Sequence, residues 1–115
     1  MSSREIVAES GKYLMNTYGR YPIALARGKG CWVWDEDGNK YLDFITGIAV
    51  NNLGHCHPNI VRAVTEQCKT LMQVSNLFHL EKQVEFARLL VENSFADRVF
   101  FCNSGTEANE GAIKL

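Results

Sequence analysis

The chain has 115 residues, 46% hydrophobic and 22% charged, and twelve basic against thirteen acidic side chains leave a formal net charge of -1. With no block of like charge, that balance excludes counterion-driven binding to nucleic acid or an anionic membrane, and 10% aromatic residues with two prolines exclude a disordered chain. No apolar run approaches the roughly 18 residues of a membrane span, and Met1–Ser10 lacks the basic start and apolar stretch of a secretory signal, so a soluble cytoplasmic domain is expected. In that reducing setting Cys31, Cys56, Cys68 and Cys102 stay as thiols, and the apolar neighbours of Cys31, Cys68 and Cys102 predict buried small hydrophobes.

Along the chain, Ile6, Ser10, Tyr13 and Leu14 recur at helical spacing, although Gly11 weakens the pattern. Tyr21-Pro22 ends it, and Ile23 and Leu25 open an extended stretch punctuated by Arg27-Gly28-Lys29-Gly30. Cys31–Trp34 and Lys40–Phe44 are strand-like on either side of an Asp37-Gly38 turn signal, which predicts a hairpin. A lone hairpin is marginal in water, so this one must pack on more than its own two strands. Residues 46–57 read as a loop in which Gly47 and Gly54 supply backbone freedom. Pro58 fits the first turn of a helix whose apolar face is Ile60, Val61, Ala63, Val64, Cys68, Leu71 and Met72, with Arg62 and Glu66 spaced to pair outside. A second helix is expected from Leu80 to Glu92 with Leu80, Val84, Ala87, Leu90 and Val91 inward. His55, Cys56 and His57 lack the paired spacing of a structural zinc site, so no metal is expected; His57 and His79 are expected to help open the helices that follow them.

Arg98–Cys102 is a short apolar run without alternation, as in a strand buried on both faces of a parallel sheet, and a helix from Glu107 to Leu115 follows it. Between them lies Asn103-Ser104-Gly105-Thr106. Ser104 and Glu107 have the spacing of a capping box, a structural device that needs no ligand. The same turn leaves the Gly105 and Thr106 N–H groups free at the positive end of a helix, just past a strand, where phosphate binds in open α/β sheets. Residue pattern alone leaves both readings open. No lysine stands in a context that marks it as a covalent catalyst, so no catalytic residue is assigned.

Taken in order, Arg27-Gly28-Lys29-Gly30, Trp34–Gly38 with Tyr41–Phe44, Gly54–Pro58 and Phe101–Asn109 resemble the class III aminotransferases, fold type I pyridoxal-phosphate enzymes. Gly47–Val50 and Ser75–Phe78 look most like the acetylornithine branch, which transfers an amino group between N-acetylornithine and 2-oxoglutarate, forming glutamate, in arginine biosynthesis; ornithine and 4-aminobutyrate aminotransferases are the alternatives. The resemblance implies an α/β fold: a small α+β region with a β-hairpin over residues 1–95, and the first strand and helix of the large parallel-sheet domain over 96–115. It assigns Ser104, Gly105 and Thr106 to the phosphate of pyridoxal 5'-phosphate, and to the substrate Tyr18 and, in a separate active-site loop from Gly47 to Asn52, Ile48. It also implies a homodimer. The lysine, aspartate and arginine that complete such a site are expected outside these 115 residues, so the chain alone is expected to be inactive. Two rival readings are a non-catalytic phosphate-binding module and a segment that pairs with full-length subunits through its apolar helices.

Overall fold

The computed structural model describes all 115 residues, which form two compact units, Met1–Met72 and Gln73–Leu115. No helix is long and apolar enough to cross a membrane.

The first unit opens with α1 (Ser3–Tyr13), which starts three residues before the expected periodicity because Ser2 and Glu5 form a reciprocal capping box. Ser2 Oγ accepts from Glu5 N–H at 3.3 Å, and Glu5 Oε2 accepts from Ser2 N–H at 2.8 Å. The buried Ser3 ties this helix to the sheet: its N–H donates to Asp37 Oδ1 at 3.2 Å, and its Oγ accepts from Ala24 N–H at 2.7 Å.

The sheet is antiparallel in the order β1 (Leu25–Lys29), β2 (Trp32–Asp35), β3 (Lys40–Leu42). β2 and β3 are the expected hairpin, paired Val33 to Tyr41 and Trp34 to Lys40, with Gly38 at φ 87° in the turn. The stretch read as punctuation is the third strand instead, with Gly28 opposite Val33 and Lys29 opposite Trp32. Arg27 earns the place by laying its guanidinium 4.0 Å from the Trp34 ring centroid, while from the other edge of the sheet Lys40 Nζ of β3 lies 3.8 Å from that of Trp32. On the opposite face Val33, 6% exposed, is the one buried hydrophobic residue of the chain.

After β3 the chain makes a single turn, α2 (Thr46–Ala49), with left-handed dihedrals at Gly47 and Ile48. α3 (Pro58–Thr70) begins with proline in its first turn, as expected. The apolar face predicted for it is present but uncovered, since Ile60, Val61, Val64, Leu71 and Met72 are all exposed. Arg62 does not pair with Glu66; it donates to Asn59 Oδ1 at 3.2 Å. The four cysteines are free and exposed, contrary to the burial expected for three of them, because these residues supply no second layer over their faces.

The second unit holds α4 (Glu81–Glu92) and α5 (Gly105–Lys114). His57 is the N-cap residue of α3, its carbonyl accepting from Val61 N–H at 3.0 Å, but its side chain makes no capping bond, and the N-cap of α4 is Leu80 rather than His79. Of the expected inward residues of α4, Leu80, Ala87 and Val91 are half-buried, while Val84 and Leu90 are exposed. The run Arg98–Cys102 is not paired as a strand. A parallel strand needs a neighbour reached by a crossover, and these residues contain none. The Phe101 ring stacks on Phe86 at 5.8 Å, and Phe100, 69% exposed, lies against α5, where a Cβ on Gly111 would stand 3.3 Å from the ring.

Candidate functional site

Ser104 is extended (φ -154°, ψ 161°) and caps α5: its Oγ accepts from Glu107 N–H at 3.2 Å and its carbonyl from Ala108 N–H at 3.0 Å. Only half of the expected capping box forms. Glu107 reaches past Ser104 to Asn103, where Oε2 accepts from the backbone N–H at 2.8 Å and from Nδ2 at 3.1 Å. The carboxylate is thus engaged by Asn103, and the Gly105 and Thr106 N–H groups have no acceptor. The space beside Gly105 is open, with no atom within 4 Å of where a Cβ would stand. Ser104 Oγ, although it accepts one bond, still carries a proton to donate. Two free backbone donors, two hydroxyls and the positive end of a 10-residue helix therefore fit a phosphate group.

The loop of the first unit is held by Asp43. Its Oδ1 accepts from the Ile45 and Thr46 N–H groups, both at 2.9 Å, and its Oδ2 meets His55 Nε2 at 2.6 Å. The His55 ring first, then the Thr46 and Ile45 N–H groups, hold the Asp43 carboxyl below the usual aspartate range. Ile48 lies in the turn that Asp43 caps, at φ 60° and ψ 59°, and is 87% exposed. Such a conformation costs roughly 1–2 kcal/mol per L-residue, more for a β-branched side chain that rarely visits it.

Tyr18 is elsewhere in the same unit. It is exposed, with the Arg20 guanidinium 5.7 Å from its ring centroid, and lines a cleft of about 470 Å³ between α1 and Tyr21–Ala24. A second cleft, also about 470 Å³, lies between Val50–His57 and α3, and the His57 Nδ1 is buried beside it without a partner. Ile48 lines neither cleft. The structure thus brings Ser104, Gly105 and Thr106 together in one turn but does not join Tyr18 to Ile48. No three His, Cys, Asp or Glu side chains converge to hold a metal ion. The pairing of Asp43 with His55 escapes a reading of the residues, because the two stand twelve apart in separate motifs.

A family model described as aminotransferase class III matches residues 13–115. The chain belongs to the class III aminotransferases. The acetylornithine aminotransferase of Caldanaerobacter subterraneus subsp. tengcongensis is 64% identical over 104 residues, covering 90% of this chain and 26% of its own. Two solved structures each superpose with a TM-score of 0.92 over 99% of this chain and 30% of theirs: the Plasmodium falciparum ornithine delta-aminotransferase, at 34% identity, and the acetylornithine aminotransferase of Elizabethkingia anophelis, at 36%. The fold is accordingly the N-terminal portion of a fold type I aminotransferase, and the chain spans about a quarter of the length of the curated relatives it matches. Backbone similarity to both solved structures is equal, so the fold leaves the substrate open.

Proposed function

We propose that this chain is the N-terminal part of an enzyme that transfers an amino group between N-acetylornithine and 2-oxoglutarate, with pyridoxal 5'-phosphate as cofactor. The observation that carries the reading is the turn at Ser104–Thr106: free Gly105 and Thr106 donors, an open approach, and a Glu107 carboxylate engaged by Asn103 instead of those donors. The 64% identity to an acetylornithine aminotransferase supports the choice of substrate. In this reading residues 96–115 open the cofactor domain, and the Gly105 and Thr106 N–H groups with the Ser104 and Thr106 hydroxyls bind the phosphate. Tyr18 and Ile48 face the substrate, and two copies of the whole protein form a dimer. The bound cofactor supplies the electron sink for amino transfer. This chain's part is to fix the cofactor's anionic end, where the α5 dipole favours it.

The test uses the full-length protein. Purified with pyridoxal phosphate, it is expected to form glutamate from N-acetylornithine and 2-oxoglutarate faster than from ornithine or 4-aminobutyrate. Thr106→Ala removes a hydroxyl donor, and loss of one such bond to a charged group, about 1.5–3 kcal/mol, weakens cofactor affinity by roughly 10- to 150-fold. A full-length protein without transaminase activity, whose Gly105 and Thr106 amide signals still shift on titration with inorganic phosphate, would instead be a non-catalytic phosphate-binding module. The 115-residue chain alone is expected to form no glutamate.

A further inference from the structure

The turn at Thr46–Ala49 keeps a backbone that its own residues disfavour. Thr46, Ile48 and Ala49 stand at φ 51°, 60° and 60° around Gly47 at 67°, and only the glycine adopts that region freely. Its own backbone closes it, with Ala49 N–H donating to the Ile45 carbonyl at 3.1 Å and Val50 N–H to that of Thr46 at 3.0 Å, and side chains from outside fix where it begins. Asp43 Oδ1 takes the N–H groups of Ile45 and Thr46 as the chain enters the turn, and Oδ2 takes His55 Nε2. Both partners are fastened to the sheet: the Asp43 N–H donates to the Cys31 carbonyl at 2.9 Å, and His55 exchanges two backbone hydrogen bonds with Gly30 at 2.8 and 2.9 Å. The imidazole packs so closely on β1 that a Cβ at Gly28 would stand 2.6 Å from its Cγ. Side-chain exposures of 14% for Asp43 and 23% for His55 leave the pair largely shielded from water. The residue it displays is not. Its neighbours Phe44 and Val50 are comparably exposed, but Ile48 alone of the three is held at positive φ, and backbone strain kept at such a position is a mark of function.

We propose that Asp43 and His55 are positioning residues: their pair locks Thr46–Ala49 in its left-handed form and thereby fixes Ile48 as a determinant of amino-donor specificity. The proposal rests on the transaminase reading above and extends it to two residues that touch neither substrate nor cofactor.

The experiment uses the full-length holoenzyme with N-acetylornithine and 2-oxoglutarate. Asp43→Ala is expected to raise KM for N-acetylornithine about tenfold while kcat and KM for 2-oxoglutarate stay within about twofold, the signature of lost binding rather than lost chemistry. His55→Leu should match it. His55→Gln, whose amide can still donate to Oδ2, should recover most of the donor KM, and Asp43→Ala combined with Ile48→Ala should be no worse than Ile48→Ala alone. A role in stability alone would lower the yield of active enzyme and leave KM unmoved. If Asp43→Ala does not fold, the His55→Leu and His55→Gln pair decides. Wild-type KM values in His55→Leu, or equal shifts for both substrates, overturn the proposal. A wild-type protein inactive with both substrates overturns the transaminase reading instead; the lock then stands if the 13Cα shifts of Thr46–Ala49 change in His55→Leu and falls if they do not.

Discussion

Gly28 is a glycine because His55 occupies the place of its side chain. A Cβ there would stand 2.6–2.9 Å from the imidazole Cγ, Cβ and Nδ1, whereas the space beside Gly11 in α1 is empty. Gly28→Ala should therefore displace His55 and lower the midpoint of chemical denaturation, while Gly11→Ala should raise stability by about 0.5–1 kcal/mol, the helix propensity difference. Asp35 is a second residue-scale anchor: it accepts from the N–H groups of Asp37 and Asn39, from Asn39 Nδ2 and from the Tyr41 hydroxyl at 2.7–3.1 Å. Those bonds, Asn39 first, hold its carboxyl below the usual aspartate range, as His55 does for Asp43. A carboxyl with a depressed folded pKa stabilises fully above its unfolded value of roughly 3.9 and loses that contribution as pH falls through the folded value. Denaturation midpoints should thus be level from pH 7 to 5 as far as these two groups act, then drop below pH 4, with a smaller drop in Asp35→Asn. Ser104 to Thr106 were legible in the sequence since a helix start is written in adjacent residues. Asp43 and His55 were not, because only the folded sheet brings them together.

Among the elements, the hairpin and the helix led by Pro58 follow from local rules: an Asp-Gly turn between β-branched and aromatic runs, and a proline in a first helical turn. β1 was legible as extended at Leu25, but Arg27-Gly28-Lys29 read as punctuation, and only pairing with β2, with Arg27 over the Trp34 ring, makes it a strand. The left-handed α2 was hidden too, since isoleucine and alanine do not announce positive φ. The run at Val99–Cys102 was recognised as apolar and extended, but pairing depends on neighbours these residues do not contain. Burial, unlike periodicity, needs a partner surface. Val33→Ala in β2 should accordingly destabilise the first unit by about 1–3 kcal/mol, somewhat less than larger core truncations, whereas Val64→Ala on the exposed face of α3 should stay within about 0.5 kcal/mol. Urea denaturation followed by tryptophan fluorescence, which reports on β2 directly, separates the two.

At the scale of the whole molecule the accessible surface is 10463 Å². A self-contained globule of 13.0 kDa exposes about 6,300 Å² by the usual scaling with mass. The isolated chain should therefore bind a hydrophobic dye strongly at neutral pH and melt over a broad range. Amide protection should be greatest at Val33, Trp34 and Tyr41, where the sheet is paired around the one buried hydrophobic residue. A sharp single transition without dye binding would show that the chain closes a core by itself.

The handedness of α2 has one further consequence. Where an L-residue is held at φ 60°, its mirror image is at rest, since that region is the right-handed helical basin seen in reflection. A chain made by chemical ligation with D-alanine at position 49 should tighten the turn that L-alanine strains. At this loop, enantiomeric chemistry suits the fold better than the amino acid the ribosome supplies.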